Sequence, residues 1–401
     1  MIPSAFRRAL AVIGALSAAL CWAAPADEGP AAKAAFTDSE IRVILSHGPW
    51  PARGADPSNR VSGNREAIDF GTRLFFEQRL SGTGEFSCAR CHVPELNWTD
   101  SLRLSSGMAE VNRHTPTLMN LAAQRWYGWD GAADSLWSQI LRPIVDKREL
   151  ASSPRQVAQL VRDDPDLSCR YRKAFGALPS PANDEAVFVD VGKALAAFVE
   201  TLVSGYTPFD RFRDDLAQGK PPAAWNYSEP AQRGLKIFIG KGGCTNCHSG
   251  PNFTGGEFFN NGLAQTTLAG KPDPGRPAGI QALLKSRFNL LGPYNDDGTG
   301  ASAARTRQVS FEKAAFGEFK VPTLRNLVLT TPYGRDGSVD SLAEVVRHYS
   351  GIDPVRLHAK DGRPARPLDL TAREQTDLVV FLESLTSFAN GWRPDSAVHC
   401  D

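Results

Sequence analysis

Apolar residues recur at helical spacing near the end of each half of the chain. Val187, Val191, Leu195, Phe198 and Leu202 fall along one helix face. Leu378, Phe381, Leu382 and Leu385 do the same, just after Thr371-x-x-Glu374, the pattern of a capping box. A second capping box, Ser341-x-x-Glu344, opens a run with Leu342, Val345, Val346 and Tyr349 at i, i+3, i+4 and i+7. That phase puts Tyr349 on the buried face and turns His348 off it. A shorter apolar run, Ala9 to Leu20, follows Arg7 and Arg8 and leads into small residues. It reads as an export signal over residues 1–26, cut near Ala23 or Ala26, and it is too short to span a membrane. Cys21 follows Leu20 rather than a small residue, which argues against a lipid anchor. The pattern predicts a mainly α-helical chain, exported to the periplasm, with no membrane span.

The pattern also repeats. Pro116-Thr-Leu-Met-Asn-Leu121 matches Pro322-Thr-Leu-Arg-Asn-Leu327, and Tyr127-Gly-Trp-Asp-Gly-Ala-Ala-Asp-Ser-Leu136 matches Tyr333-Gly-Arg-Asp-Gly-Ser-Val-Asp-Ser-Leu342, both at an offset of 206 residues. Phe198-Val-Glu-Thr-Leu-Val-Ser204 matches Phe381-Leu-Glu-Ser-Leu-Thr-Ser387. The chain therefore reads as two tandem copies of one domain, residues 36–220 and 228–390, with a linker at Lys220-Pro-Pro-Ala-Ala. A length of 401 residues, long for one core, agrees. The second copy carries about fifty extra residues before its Pro-Thr-Leu segment, rich in Gly, Pro and Asn, which read as long loops. A net charge of +1 gives no reason to invoke nucleic acid.

Seven cysteines supply the chemistry. Four lie in Cys88-Ala-Arg-Cys91-His92 and Cys244-Thr-Asn-Cys247-His248. Cys-x-x-Cys-His is the attachment pattern of c-type haem: two thiols bond the porphyrin and the histidine turns under the iron. A zinc site would bring two such pairs close together, whereas these stand 156 residues apart. Two covalently bound haems, ligated by His92 and His248, are expected. Cys21 leaves with the signal. Cys169 and Cys400 are left over, and a disulfide is open to them in an oxidising compartment.

Haem chemistry turns on the sixth iron position: filled by protein it favours electron transfer, open it admits peroxide. The offset of 206 carries Tyr349 onto Pro143, which cannot ligate iron. If the copies fold alike, the first haem is open there, with Met108 and His114 as the remaining loop candidates. Tyr349 itself is open to two readings, an iron ligand or a packed tyrosine. Gln139 and Glu149 fall near the open side. Glu149 suits a general acid–base, or is a surface carboxylate beside Lys147 and Arg148.

These residues resemble the bacterial di-haem cytochrome c peroxidase and MauG superfamily. The likeness rests on both haem motifs, on Arg113-x-x-Pro-Thr-Leu, on Trp129-Asp-Gly, and on Leu324-Arg-Asn with Thr331-Pro-Tyr333. The resemblance implies that Trp129 relays electrons between the haems. It implies that Gln139, Pro143 and Glu149 are the distal glutamine, proline and catalytic glutamate. Tyr349 would ligate the second iron where ordinary di-haem peroxidases carry Met, and Ser106 stands where they hold a switchable His. Both features resemble the MauG-like subgroup, which includes the relative encoded with methanobactin genes. Such enzymes use peroxide to reach a high-valent state shared by two haems and oxidise tryptophan of a partner protein. The family's bridging calcium would rest on carbonyls of Thr330 and Pro332, but His114 replaces its Asn ligand. Gly242 replaces a surface Trp at the electron exit. Two other readings stand beside this one. The first is a cytochrome c peroxidase fed by a small cytochrome or cupredoxin. The second is a non-enzymatic electron-transfer cytochrome, against which Pro143 and Ser106 argue.

Overall fold

Helices begin where the sequence offers caps. Ser135, Ser341 and Thr371 each accept a hydrogen bond from a first-turn amide, and both expected capping boxes form. The structure, a computed structural model, describes residues 36–51, 54–263, 270–351, 367–388 and 400. The export signal and Cys21 lie outside the described residues. The helices are α1 (Asp38–Leu45), α2 (Arg65–Phe75), α3 (Leu136–Val145), α4 (Pro154–Asp163), α5 (Pro165–Phe175), α6 (Asp184–Val199), α7 (Pro208–Ala217), α8 (Glu229–Ile239), α9 (Arg276–Lys285), α10 (Leu342–Ser350) and α11 (Ala372–Glu383). Among the described residues one two-stranded antiparallel ribbon forms, pairing Phe258 with Lys320 and Phe259 with Phe319. The mainly α expectation holds, as does the prediction of two cytochrome c-like folds related by an internal repeat. No helix of the described residues is long and apolar enough to cross a membrane.

The repeat is visible contact by contact. In the first half α2 crosses α6, and a Cβ on Gly71 would collide with the Ala194 carbonyl and press on Phe198. In the second half α8 crosses α11, and a Cβ on Gly234 would collide with the Asp377 carbonyl and press on Phe381. Each glycine lets two helix backbones touch. Asn120 donates its amide to Leu202 O, and its side chain accepts from Ser204 N at 2.8 Å. Asn326 repeats both bonds with Leu385 O and Ser387 N. The predicted face Val187, Val191, Leu195, Phe198 and Leu202 is buried throughout. Burial of each large side chain there contributes about 1.5–3 kcal/mol.

Two apolar cores result, and each draws on both halves of the chain. The core around α2, α3 and α6 includes Leu290 and Ala303. The core around α8 and α11 includes Ile44, Phe209, Phe212 and Leu216. The insert of the second half is therefore more than loops. It contains α9, and its later part lies against the first half. There Lys193 Nζ donates to Tyr294 O at 2.8 Å and pairs with Asp296 at 2.5 Å. Arg60 joins Asp296, and Asp134 accepts from Leu290 N and Thr306 Oγ1. Glycine and proline content concealed α9, whose N-cap is Gly275 with no side-chain bond. Cys169 on α5 and Cys400 form a disulfide with Cα atoms 6.0 Å apart.

Candidate active site

Each Cys-x-x-Cys-His motif begins as one 3-10 turn, Cys88–Arg90 and Cys244–Asn246. The histidine amide donates back to the first cysteine carbonyl, His92 N to Cys88 O and His248 N to Cys244 O. This brings both thiols and the imidazole to one side of the turn. The four cysteines are not disulfide-bonded. Burial pushes the Cys88, Cys91 and Cys244 thiols up to about 12. Thiols in so apolar a setting are not poised as thiolates for zinc or redox exchange. Each imidazole donates Nδ1–H to a backbone carbonyl, His92 to Trp98 O and His248 to Phe253 O, both at 3.0 Å. That fixes the tautomer and leaves Nε2 for a metal. Burial lowers both histidines, His248 to about 4, so both are neutral, as ligands must be. The donor set fits haem at both places.

The acceptor carbonyls sit in matching aromatic nests. Trp98 lies edge-on to Phe75 and Phe198, at 5.4 and 5.8 Å. Phe253 lies against Phe238 and Phe381, at 6.0 and 6.4 Å. Both acceptor residues have left-handed backbones, φ 62° and 49°.

Pro143 stands inside α3 at the step where α10 carries Tyr349. The chain leaves α3 in a tight turn in which Glu149 N bonds Asp146 O and Leu150 N bonds Pro143 O. The turn carries Glu149 back toward the first motif, close enough for its charge to act on Cys88 and Cys91. Burial, with Asp146 adding to it, raises the Glu149 carboxyl to about 7. Glu149 is thus no surface carboxylate. Gln139, one turn before Pro143, has a buried Oε1 with no hydrogen-bond partner. An orphaned acceptor at this place awaits a donor from a bound molecule.

The loop candidates for the first iron are otherwise engaged. Met108 donates its amide to Glu149 O, and its sulfur accepts from Thr83 Oγ1 at 3.8 Å. Ser106 is exposed, with its carbonyl facing Arg90 Nε at 3.4 Å. His114 is buried and donates Nδ1–H to Leu102 O at 2.7 Å. Of the set expected to hold calcium, His114 is the member that fits that ion poorly. Imidazole is a poor calcium donor, and the His114 ring is committed to Leu102. Among the described residues no group of three or more His, Cys, Asp and Glu converges as an ion site.

Tyr349 departs from the helical-phase expectation. Leu342, Val346 and Ser350 are the buried residues of α10, whereas Tyr349 keeps 37% of its surface accessible. Its hydroxyl has a long contact of 3.5 Å from Asn261 Nδ2. Desolvation nonetheless raises its phenol, and Cys247 and Cys244 act on it electrostatically. The side chain is near enough to the second motif to feel both cysteines, and it is not a packed core tyrosine.

Trp129 lies between the two halves. Its indole Nε1–H donates to His114 O at 2.8 Å, and its carbonyl accepts from Lys320 N at 2.8 Å. Pro322, two residues on, lies against the His248 ring. Arg113 pairs with Asp130 at 2.7 Å and with Asp273 at 2.9 Å. Buried Arg276 donates to the Asp130 and Gly131 carbonyls at 3.2 and 2.9 Å. Sequence reading missed Arg276 because it lies in the insert, where the repeat offers no counterpart. It also missed Lys320, whose ammonium donates to Gln124 Oε1 at 2.7 Å and which burial lowers to about 8. Its place just before Pro-Thr-Leu was the available signal.

Two cytochrome c-like halves, each offering a haem-ligating histidine, define a di-haem protein. The family model for di-haem cytochrome c peroxidases matches residues 65–218. The methylamine utilization protein MauG of Methylorubrum extorquens is 35% identical over 330 residues, 80% of this chain and 78% of that one. Cytochrome c551 peroxidase of Nitrosomonas europaea is 30% identical over 336 residues, 83% of this chain and 82% of that one. The crystal structure of a MauG-like protein associated with microbial copper homeostasis superposes with a TM-score of 0.62 at 25% identity. It covers 86% of this chain and 97% of its own. The chain belongs to the di-haem cytochrome c peroxidase and MauG family, in its MauG-like subgroup, and is a haem-dependent oxidoreductase.

Proposed function

We propose that this enzyme uses hydrogen peroxide at the first haem to oxidise a partner protein in the periplasm, with tryptophan as the side chain modified. The observation that carries the reading is Glu149, a half-buried carboxyl raised to about 7 and near enough to Cys88 and Cys91 for its charge to act on them. On this reading residues 36–220 and 228–390 carry one haem each, bonded through Cys88 and Cys91 and through Cys244 and Cys247. Haem supplies the iron at which the peroxide O–O bond breaks and oxidising equivalents are held. Glu149 takes a proton from the near oxygen of peroxide and returns it to the leaving oxygen, so that water departs. Gln139 Oε1 accepts a hydrogen bond from bound peroxide, and Pro143 keeps the position clear. Trp129 bridges the halves, and His248 and Tyr349 hold the second iron. Phenolate is an anionic ligand that stabilises oxidised iron. Because only electrons cross to the partner, the substrate side chain stays outside the pocket. Calcium has no part in this reading.

The similarity to a cytochrome c551 peroxidase favours a second reading, in which a small cytochrome or cupredoxin supplies electrons and peroxide is simply reduced. Incubation of the di-haem enzyme with peroxide and a candidate partner, followed by peptide mass spectrometry, separates the two. Modified tryptophan in the partner supports the proposal. Steady peroxide turnover with a small electron donor, and unmodified tryptophan in every partner, overturns it.

A further inference from the structure

The two haem-binding halves share their helix crossing and their Asn-to-Ser bonds, yet the loop that follows the second histidine carries a brace the first lacks. Phe253, whose carbonyl accepts the His248 proton, is stacked face to face with His47, with centroids 4.6 Å apart and planes 9° apart. His47 is fully buried and donates Nδ1–H to Gly250 O at 3.1 Å. Arg325, also fully buried, donates Nε–H to Pro251 O at 2.7 Å and forks onto both oxygens of Asp210, at 2.9 and 2.8 Å. Its guanidinium lies 3.8 Å from the Trp50 ring centroid and 5.6 Å from that of Phe253. Two threonine bonds beside it are common to both halves: Thr323 Oγ1 donates to Asn252 O as Thr117 Oγ1 does to Asn97 O, and Thr254 Oγ1 to Val321 O as Thr99 Oγ1 does to Thr115 O.

The first half differs at the position of Arg325. Met119 stands where the second half has Arg325, by the same offset that matches the rest of the segment. Trp98 fills its nest with the larger indole, against Phe75 and Phe198. A buried Arg–Asp pair carries a desolvation cost that packed apolar residues avoid. Its presence on one haem side only, where the other half manages with methionine, asks for a reason beyond packing.

We propose that His47 and Arg325 are positioning residues for the second haem's axial histidine: they pin Gly250, Pro251 and Phe253 so that the Phe253 carbonyl keeps a fixed hydrogen bond on His248. A histidine that donates its Nδ1 proton to a well-placed acceptor is a more basic ligand, and such a ligand favours ferric iron. The brace therefore lowers the second haem's reduction potential separately from the first. The inference rests on the reading of His248 as that iron's ligand. His47 belongs to the segment ahead of α2 and Asp210 to α7, so the first half supplies part of the brace on the second half's loop.

The test uses the full-length di-haem protein and spectroelectrochemical titration with electron paramagnetic resonance, both normalised to haem content. His47→Phe keeps an aromatic stack and loses the Gly250 bond. Arg325→Met with Asp210→Asn imitates the first half and leaves no buried charge unpaired. Each is expected to raise the midpoint potential of the second haem and to change its low-spin signal, while the first haem keeps both properties. Arg325→Lys, which keeps the charge without the fork, is expected to fall between these and the wild type. Unchanged second-haem potentials overturn the proposal. Equal shifts at both haems overturn it too, because they report general loosening. His248→Ala tests the underlying ligand reading by itself: persistence of the second haem's low-spin signal in that variant would remove His248 as ligand, whatever the brace does.

Discussion

Glu149 shows how one carboxylate acquires a role from its surroundings. Just after Lys147 and Arg148 in the sequence it looks like a solvated charge, but burial in the turn after α3 raises its carboxyl to about 7. A base must be ionised to take a proton from peroxide, and the ionised fraction rises as pH passes upward through about 7. The rate of the peroxide step is therefore expected to climb through neutrality and level off above it, as stopped-flow spectra across pH would record. Glu149→Gln keeps the shape without the proton carrier, and should slow that step by roughly 10²–10⁴ and flatten the pH profile. A variant with the wild-type rate and profile would remove Glu149 from the mechanism. Tyr349 is the matching residue on the other haem. Tyr349→Phe should leave both haems attached, change the absorption and resonance spectrum of one of them, and abolish oxidation of a partner's tryptophan. A wild-type spectrum in that variant would leave Tyr349 a partly exposed side chain and move the small-donor peroxidase reading ahead.

At the scale of elements, what the sequence showed and what it hid follow from how local each cause is. Capping boxes and apolar periodicity are local, so α6, α10 and α11 were legible, and the repeat gave the paired arrangement of Pro143 and Tyr349. The orientation of Tyr349 was misjudged because α10 buries only a narrow stripe, Leu342, Val346 and Ser350, and leaves Tyr349 off it. Helix α9 was missed because its start is a glycine without a side-chain cap. His47 and Arg276 were invisible because each acts on a segment more than a hundred residues away. Gly71 and Gly234 carry a testable consequence of the repeat. Helix propensity favours alanine over glycine by roughly 1 kcal/mol, whereas overpacking costs about 1–3 kcal/mol. Here the added methyl meets the backbone carbonyl of Ala194 or Asp377, which cannot rotate aside, so overpacking wins. Gly71→Ala and Gly234→Ala should each lower the thermal midpoint, and a midpoint at or above wild type for either would show that the crossing helices can slide apart.

For the whole molecule, the cores are shared between the halves. Arg60 and Lys193 of the first half hold Asp296 of the insert, and Ile44 and α7 pack in the core around α8 and α11. The disulfide from Cys169 to Cys400 adds a covalent tie across 231 residues of sequence. Such a link stabilises chiefly by restricting the unfolded chain, and long loops are restricted most, with a typical gain of about 2–4 kcal/mol. It also fits an oxidising compartment, the setting expected from the N-terminal apolar run. The tie can be probed without touching either haem, because thiol reagents reduce disulfides and leave thioether links to porphyrin intact. Denaturant unfolding of the di-haem protein is expected to show a lower midpoint after dithiothreitol. Cys169→Ser should show the same loss and no further response to the reagent. If the reagent shifts wild type and Cys169→Ser alike, its effect lies elsewhere than in this bond. If neither shifts and the variant matches wild type, Cys400 is tethered without contributing to stability, and the shared cores alone hold the two halves together.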